Sequence, residues 1–149
     1  MIKNHPVLGE STLTEVQHPL LESIGDVSSV LTSLRTERLF QVLDETAYEA
    51  SGAKDVLEPF LKQKAVDRFT DFELNPKLED VQRGIEAYRG SEPDFVIALG
   101  GGTAIDLAKL IGSLAVQSES ACDIAIGRAS IQFDGTPMLA IPTTAGTGS

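Results

Sequence analysis

Residues 98–109 read ALGGGTAIDLAK, and the fold is decided by how that stretch passes from one periodicity to another. Upstream, Phe95-Val96-Ile97-Ala98-Leu99 is a short unbroken apolar run bounded by Pro93-Asp94 and by Gly100-Gly101-Gly102. A strand covered on both faces reads this way, because neither side of it meets water. Downstream, Ile105, Leu107, Ala108, Leu110, Ile111, Leu114 and Ala115 make a helix apolar nearly all round, which predicts a buried helix. Three glycines between the two allow a tight turn with no Cβ in the way.

The same alternation extends outward. Val27, Val30, Leu31 and Leu34 fall at helical spacing after Gly25-Asp26, with Asp26 as the expected N-cap. Leu39 to Leu43 reads as a buried strand whose carboxyl end carries Asp44. Val56, Leu57, Phe60 and Leu61 form an amphipathic stripe, in which Pro59 removes the bond to the Asp55 carbonyl and should kink or shorten the helix. Val66 to Phe72 reads as a strand. Asn75-Pro76 then offers an N-cap and first-turn proline for a helix with Leu78, Val81, Ile85 and Tyr88 on one side and a stop at Gly90. Residues 117–135 read as a loop or crossover, and Met138 to Ile141 as the last strand. The first stretch, to about Gln17, has no period and suits an arm or edge strand. Strand alternating with helix predicts an α/β fold, a three-layer Rossmann-like parallel sheet with helices on both faces.

Bulk properties narrow the function. The chain has 149 residues and a formal net charge of −10, so it would repel phosphate backbones and anionic lipid; nucleic-acid and membrane partners are not expected. A compact anion could still bind through backbone amides. The single cysteine, Cys122, excludes an internal disulfide and reads as a small buried residue. His5 and His18 are the only histidines, so no zinc spacing exists and no metal site is expected in this chain. No signal-peptide layout is present, which makes a cytoplasmic location the expectation.

The glycine turn carries the chemistry. It aims the free N–H groups of the following helix at an anion, as pyrophosphate binding requires, and Thr103 can add a hydroxyl. The Thr103-x-x-Asp106 spacing also matches a capping box, and Lys109 suits a solvated or ion-paired role. The pattern is neither GxGxxG nor a P-loop. A carboxylate at the place of Asp44 could accept both hydroxyls of an adenosine ribose and repel a 2′-phosphate, although a turn aspartate accounts for the residue as well.

GGGTAIDLAK, followed about thirty residues later by PMLAIPTTAGTGS, resembles the iron-containing (group III) alcohol dehydrogenase family, whose motifs are GGGS-x-x-D-x-A-K and I-P-T-T-A-G-T-G-S. With the strand ending in Asp44 and the Asn75-Pro76 turn, the likeness covers roughly residues 20–149. The stretch from Ser51 to Arg89 is most similar to the branch that includes phosphonoacetaldehyde reductases.

The resemblance implies a dehydroquinate synthase-like N-terminal domain over residues 1–149 that binds NAD(P), with NAD favoured by Asp44. It implies that Gly101, Gly102 and Thr103 line the pyrophosphate and that Asp106 holds the loop–helix junction. Asp44 and Asn75 would lie by the adenosine half, and Thr143, Thr144 and Thr147 would belong to a threonine loop touching the nucleotide. Thr103 stands where the family has serine and keeps the hydroxyl. The family's second, all-helical domain, with the aspartate and histidines that bind iron or zinc, is expected outside this chain, so no catalytic residue is assigned within it and the isolated chain should be inactive. The full protein would then be a metal-dependent NAD(P)H oxidoreductase of a small alcohol or aldehyde, phosphonoacetaldehyde among the substrates considered, and compatible with a homo-oligomer. The competing reading is a free-standing, non-catalytic nucleotide- or anion-binding module.

Overall fold

A computed structural model describes residues 21–144. In chain order the elements are α1 (Ile24–Ser33), β1 (Arg38–Leu43), α2 (Glu45–Ala50), α3 (Ala53–Leu61), β2 (Ala65–Phe69), α4 (Leu78–Ser91), β3 (Phe95–Gly100), α5 (Gly102–Leu114), α6 (Ala121–Ala125) and β4 (Met138–Pro142). The four strands form one parallel sheet in the order β2-β1-β3-β4.

Strand alternation divides the core in two. Phe40, Val42, Val96 and Ala98 point to α4 and α5, where they pack with Ile85, Tyr88, Leu107 and Ile111. Leu39, Leu43, Ile97 and Leu99 point the other way, against Val27, Leu31, Tyr48 and Leu57 of α1 to α3. Every residue of β3 is buried, which is why its sequence shows no polar alternation. Helices α4 and α5 approach closely at Gly84, where a Cβ would stand 2.2 Å from Cδ1 of Ile111. Thus the expected three-layer parallel architecture is present.

Local readings needed correction at several ends. Ser23, not Asp26, caps α1; Asp26 is the N3 residue and accepts from the Ser23 amide at 3.0 Å and the Ser23 hydroxyl at 2.9 Å. Pro59 sits in the last turn of α3 without ending it before Leu61. The six-residue α2 is short enough that no apolar period announced it. β2 stops at Phe69, three residues before the expected end, because the chain turns as the Phe72 amide donates to the Thr70 carbonyl.

For α4 the expected cap, Asn75, is displaced: it takes a left-handed conformation at φ 64°, and the helix starts at Leu78 after Lys77. The buried Asp80 decides this boundary by accepting from the Lys77 amide at 2.8 Å. Leu78 is exposed instead of lying on the buried side, and Gly90 lies inside the helix, whose left-handed C-cap is Glu92. α5 buries one side only, leaving Leu110 at 43% exposure. Cys122 is exposed, since α6 lies on the crossover outside the core. The irregular N-terminal stretch lies outside the described residues. No helix among the described residues is long and apolar enough to cross a membrane.

Candidate nucleotide-binding site

Reversal of strand order makes the crevice. From β1 the chain proceeds to β2 on one side and then returns to place β3 on the other, so the connections diverge above the carboxyl ends of β1 and β3. In open α/β sheets that divergence is where ligands bind. Asp44 follows β1 there, and the glycine turn follows β3.

The three glycines do different work. Gly100 has φ 145°, a conformation side chains rarely adopt, and a Cβ on it would stand 2.9 Å from Cβ of Ala104 and 3.2 Å from Cβ of Asp44. Gly101 is the N-cap of α5, and no side chain caps that N-terminus. A Cβ on Gly101 would lie 3.5 Å from Oγ1 of Thr144, which places that hydroxyl beside the turn. At Gly102 a Cβ would meet nothing within 4 Å, so its Cα faces open space. Backbone bonds fasten the neighbouring strand ends to this turn: the Asp44 amide donates to the Leu99 carbonyl at 3.0 Å, and the Thr143 amide donates to the Gly100 carbonyl at 2.9 Å.

The structure therefore brings Asp44, Gly101, Gly102, Thr103, Thr143 and Thr144 to one edge. Gly100 joins them; the first glycine after a buried strand was the signal for it. Asn75 stands in the link after β2, at the same edge but one strand further from the turn than Asp44. Asp106 does not make the expected capping box. With Gly101 as the N-cap, Thr103 is already inside α5, so Thr103-x-x-Asp106 is not a capping box. Asp106 is exposed and pairs with Lys109 at 3.6 Å, one turn on. Thr147 lies outside the described residues.

Asp44 is exposed and caps α2, accepting from the Ala47 amide at 3.0 Å. A capping carboxylate retains a second oxygen for a ligand. α2 itself is anchored by the buried Tyr48, whose hydroxyl donates to Glu58 at 2.9 Å; Arg68 also donates to Glu58, at 2.7 Å, and to Gln41 at 2.8 Å. Gln41 is the one polar residue of an otherwise apolar strand run; its Oε1 accepts from Arg68 opposite it on β2, while its Nε2 is buried without a hydrogen-bond partner among the described residues. Burial, reinforced by the bond to Glu58, pushes the Tyr48 hydroxyl well above its usual pKa of 10.0.

Chemically, this edge suits a dinucleotide. An uncapped helix N-terminus supplies amide donors and a partial positive charge to a pyrophosphate. The open space at Gly102 leaves room for that group, and the Thr144 hydroxyl stands beside the same turn at Gly101. A surface depression of about 420 Å³ lies elsewhere, beside α1 and α3, lined by Leu34, Val56 and Phe60 together with Thr32, Gln63 and Lys64, and contains no helix N-terminus. Among the described residues no group of three or more His, Cys, Asp or Glu side chains is placed to hold a metal ion.

Comparison with known proteins decides the family. Residues 21–149 match the family described as iron-containing alcohol dehydrogenase. The chain belongs to that family. Among similar proteins is a long-chain-alcohol dehydrogenase 1 of Geobacillus thermodenitrificans, 32% identical over 144 residues, covering 95% of this chain and 30% of the relative. Choline dehydrogenase of Bacillus subtilis is 32% identical over 91% of this chain and 34% of its own length. Among solved structures, sulfoacetaldehyde reductase from Bifidobacterium kashiwanohense, in complex with NAD+, is similar at a TM-score of 0.68 and 29% identity, over 84% of this chain and 33% of that one. NADH-dependent butanol dehydrogenase A from Thermotoga maritima, at a TM-score of 0.72 and 20% identity, shares the fold over 84% of this chain and 32% of its own. The chain spans about a third of the length of these relatives.

Proposed function

We propose that these residues form the NAD(P)-binding domain of a metal-dependent alcohol or aldehyde oxidoreductase. One observation carries the reading: the uncapped N-terminus of α5 opens at the switch point of the sheet, between Asp44 and Thr144. There the amides of α5 and the hydroxyls of Thr103, Thr143 and Thr144 bind and orient a pyrophosphate, with Thr147 continuing the same loop. Asn75 lies toward the adenosine half. Asp44 accepts the ribose hydroxyls and opposes a 2′-phosphate, which favours NAD over NADP. The bound nicotinamide would supply a hydride to, or accept one from, a carbonyl carbon.

Activation of the substrate oxygen is assigned to iron or zinc in a second, helical domain, a reading supported by the match to the iron-containing family. Phosphonoacetaldehyde is the proposed aldehyde. Its support is the resemblance over residues 51–89 and the likeness to a sulfoacetaldehyde reductase, whose named substrate is also a two-carbon aldehyde bearing an anionic group. A cytoplasmic homo-oligomer is the proposed working form.

Calorimetry of the 149-residue chain with NADH, NADPH and ADP-ribose tests the core of this reading. Binding of NADH and ADP-ribose is expected, with no NADH oxidation on adding aldehyde. Absence of binding by all three in a folded sample would sink the assignment. Asp44→Ser keeps a capping oxygen while removing the charge, so it should preserve stability and relax discrimination against NADPH.

A further inference from the structure

Asp44 does not stand alone at the adenosine edge. β1 and β2 pair in parallel register up to Val42 and Phe69, and both chains carry an aspartate two residues further on, Asp44 and Asp71. Adjacent strands lie about 4.8 Å apart, so two carboxylates flank the carboxyl ends of neighbouring strands. Val42 and Phe69 both belong to the core under α4 and α5. Asp44 follows β1 with its Cβ beside Gly100, and its carboxylate accepts from the Ala47 amide of α2. Asp71 lies in the turn that follows β2 and meets Arg83 of α4.

The cations of this edge are already engaged. Arg83 lies 3.5 Å from the Asp71 carboxylate, donates to the Asp71 carbonyl at 2.8 Å and pairs with the buried Asp80 at 2.8 Å. Lys77 pairs with Glu73 at 3.3 Å. Glu45, next to Asp44, adds a further exposed negative charge.

We infer that Asp71 is a second determinant of cofactor choice, acting with Asp44 to reject a 2′-phosphate both by its own charge and by occupying Arg83. This rests on the dinucleotide reading above. In that reading the ribose lies over the end of β1, and the neighbouring β2 end carries Arg83, a cation that could receive a group on the 2′ oxygen. Removing Asp71 takes away one repulsive charge and releases Arg83 from one of its two carboxylate partners. Asp71 is a specificity residue and has no part in hydride transfer.

Fluorescence titration of NADH and NADPH into the 149-residue chain tests the inference without any turnover. Asp71 is almost fully exposed, with 88% side-chain accessibility, so its substitution should not disturb folding. Asp71→Asn should tighten NADPH binding roughly threefold to tenfold, as expected for one screened surface charge, and leave NADH binding nearly unchanged. Asp71→Lys should give the larger gain, and added salt should shrink both gains. An unchanged ratio of NADPH to NADH affinity in both variants, with NADH still bound, would overturn the role of Asp71 alone. Failure of the folded wild-type chain to bind NADH would overturn the dinucleotide reading and this inference with it.

Discussion

A Cβ placed on Gly100 would stand 3.2 Å from Cβ of Asp44, so the turn after β3 and the acidic end of β1 are packed as close as a side-chain-free backbone permits. The same Cβ would lie 2.9 Å from Ala104, and the backbone there has φ 145°. Neither neighbour is the far end of a flexible chain. Gly100→Ala should therefore lose about 2–4 kcal/mol, combining left-side backbone strain with a steric clash. Urea unfolding followed by far-UV circular dichroism checks it, and stability within 0.5 kcal/mol of the parent, roughly the scatter of surface changes, would contradict the turn geometry.

Gly102 gives the opposite outcome two residues later. Its Cβ would meet no atom within 4 Å, and the residue opens α5. Gly102→Ala should keep or slightly raise stability, by up to about 1 kcal/mol, because alanine loses less backbone entropy than glycine on folding. NADH affinity should fall at least tenfold if the pyrophosphate occupies that space. Thermal unfolding and NADH titration of the same sample separate the two effects: binding equal to the parent would remove the pyrophosphate from this turn.

The contrast between these glycines shows what could be read from residues alone. A continuous apolar run, a glycine cluster and a helical period identified β3, the turn and α5, because each reflects burial or steric room expressed locally. Parallel topology followed from the alternation. Which glycine is strained, which is a cap and which faces open space depends on Asp44, Ala104 and Thr144, brought in from other parts of the chain. The misplaced helix starts have a related cause. Asp26 and Asp80 are acidic residues with good capping chemistry, but each acts backward from the N3 position to the amide of Ser23 or Lys77. Asp106 looked like the same device, and only the position of Gly101 shows that α5 begins too early for it. Gln41 within an apolar strand has a partner for its Oε1 in Arg68, which only the register with β2 brings opposite it.

Gly84 provides a test of helix packing away from the site. Its added Cβ would lie 2.2 Å from Cδ1 and 2.8 Å from Cγ1 of Ile111, a fully buried residue with little room to move. Gly84→Ala should cost about 1–3 kcal/mol through overpacking between α4 and α5. Combining it with Ile111→Val, which removes Cδ1, should restore part of the loss, giving a coupling that a double-mutant cycle can measure. Strict additivity of the two changes would mean that they do not share this contact.

Glu58 should make the stability of the α2–α3–β2 corner depend on pH. The hydrogen bond from Tyr48, followed by that from Arg68, holds its carboxyl below the usual value of 4.5, against the opposing effect of burial. A carboxyl whose folded pKa is depressed stabilises the fold above its unfolded pKa, and that contribution disappears as the pH falls through the folded value. Glu58→Gln keeps an acceptor for the Tyr48 hydroxyl but loses the charge that faces Arg68. Because Arg68 and Glu58 are both partly solvated, with 44% and 30% side-chain exposure, the loss at neutral pH should be only about 0.5–1 kcal/mol. Urea midpoints measured from pH 7 down to about pH 3 should show the parent and variant curves converging below about pH 4.5, where the parent loses the carboxylate and the variant has none to lose. A constant gap across that range would show that the pair with Arg68 and Tyr48 does not govern the acid sensitivity of this corner.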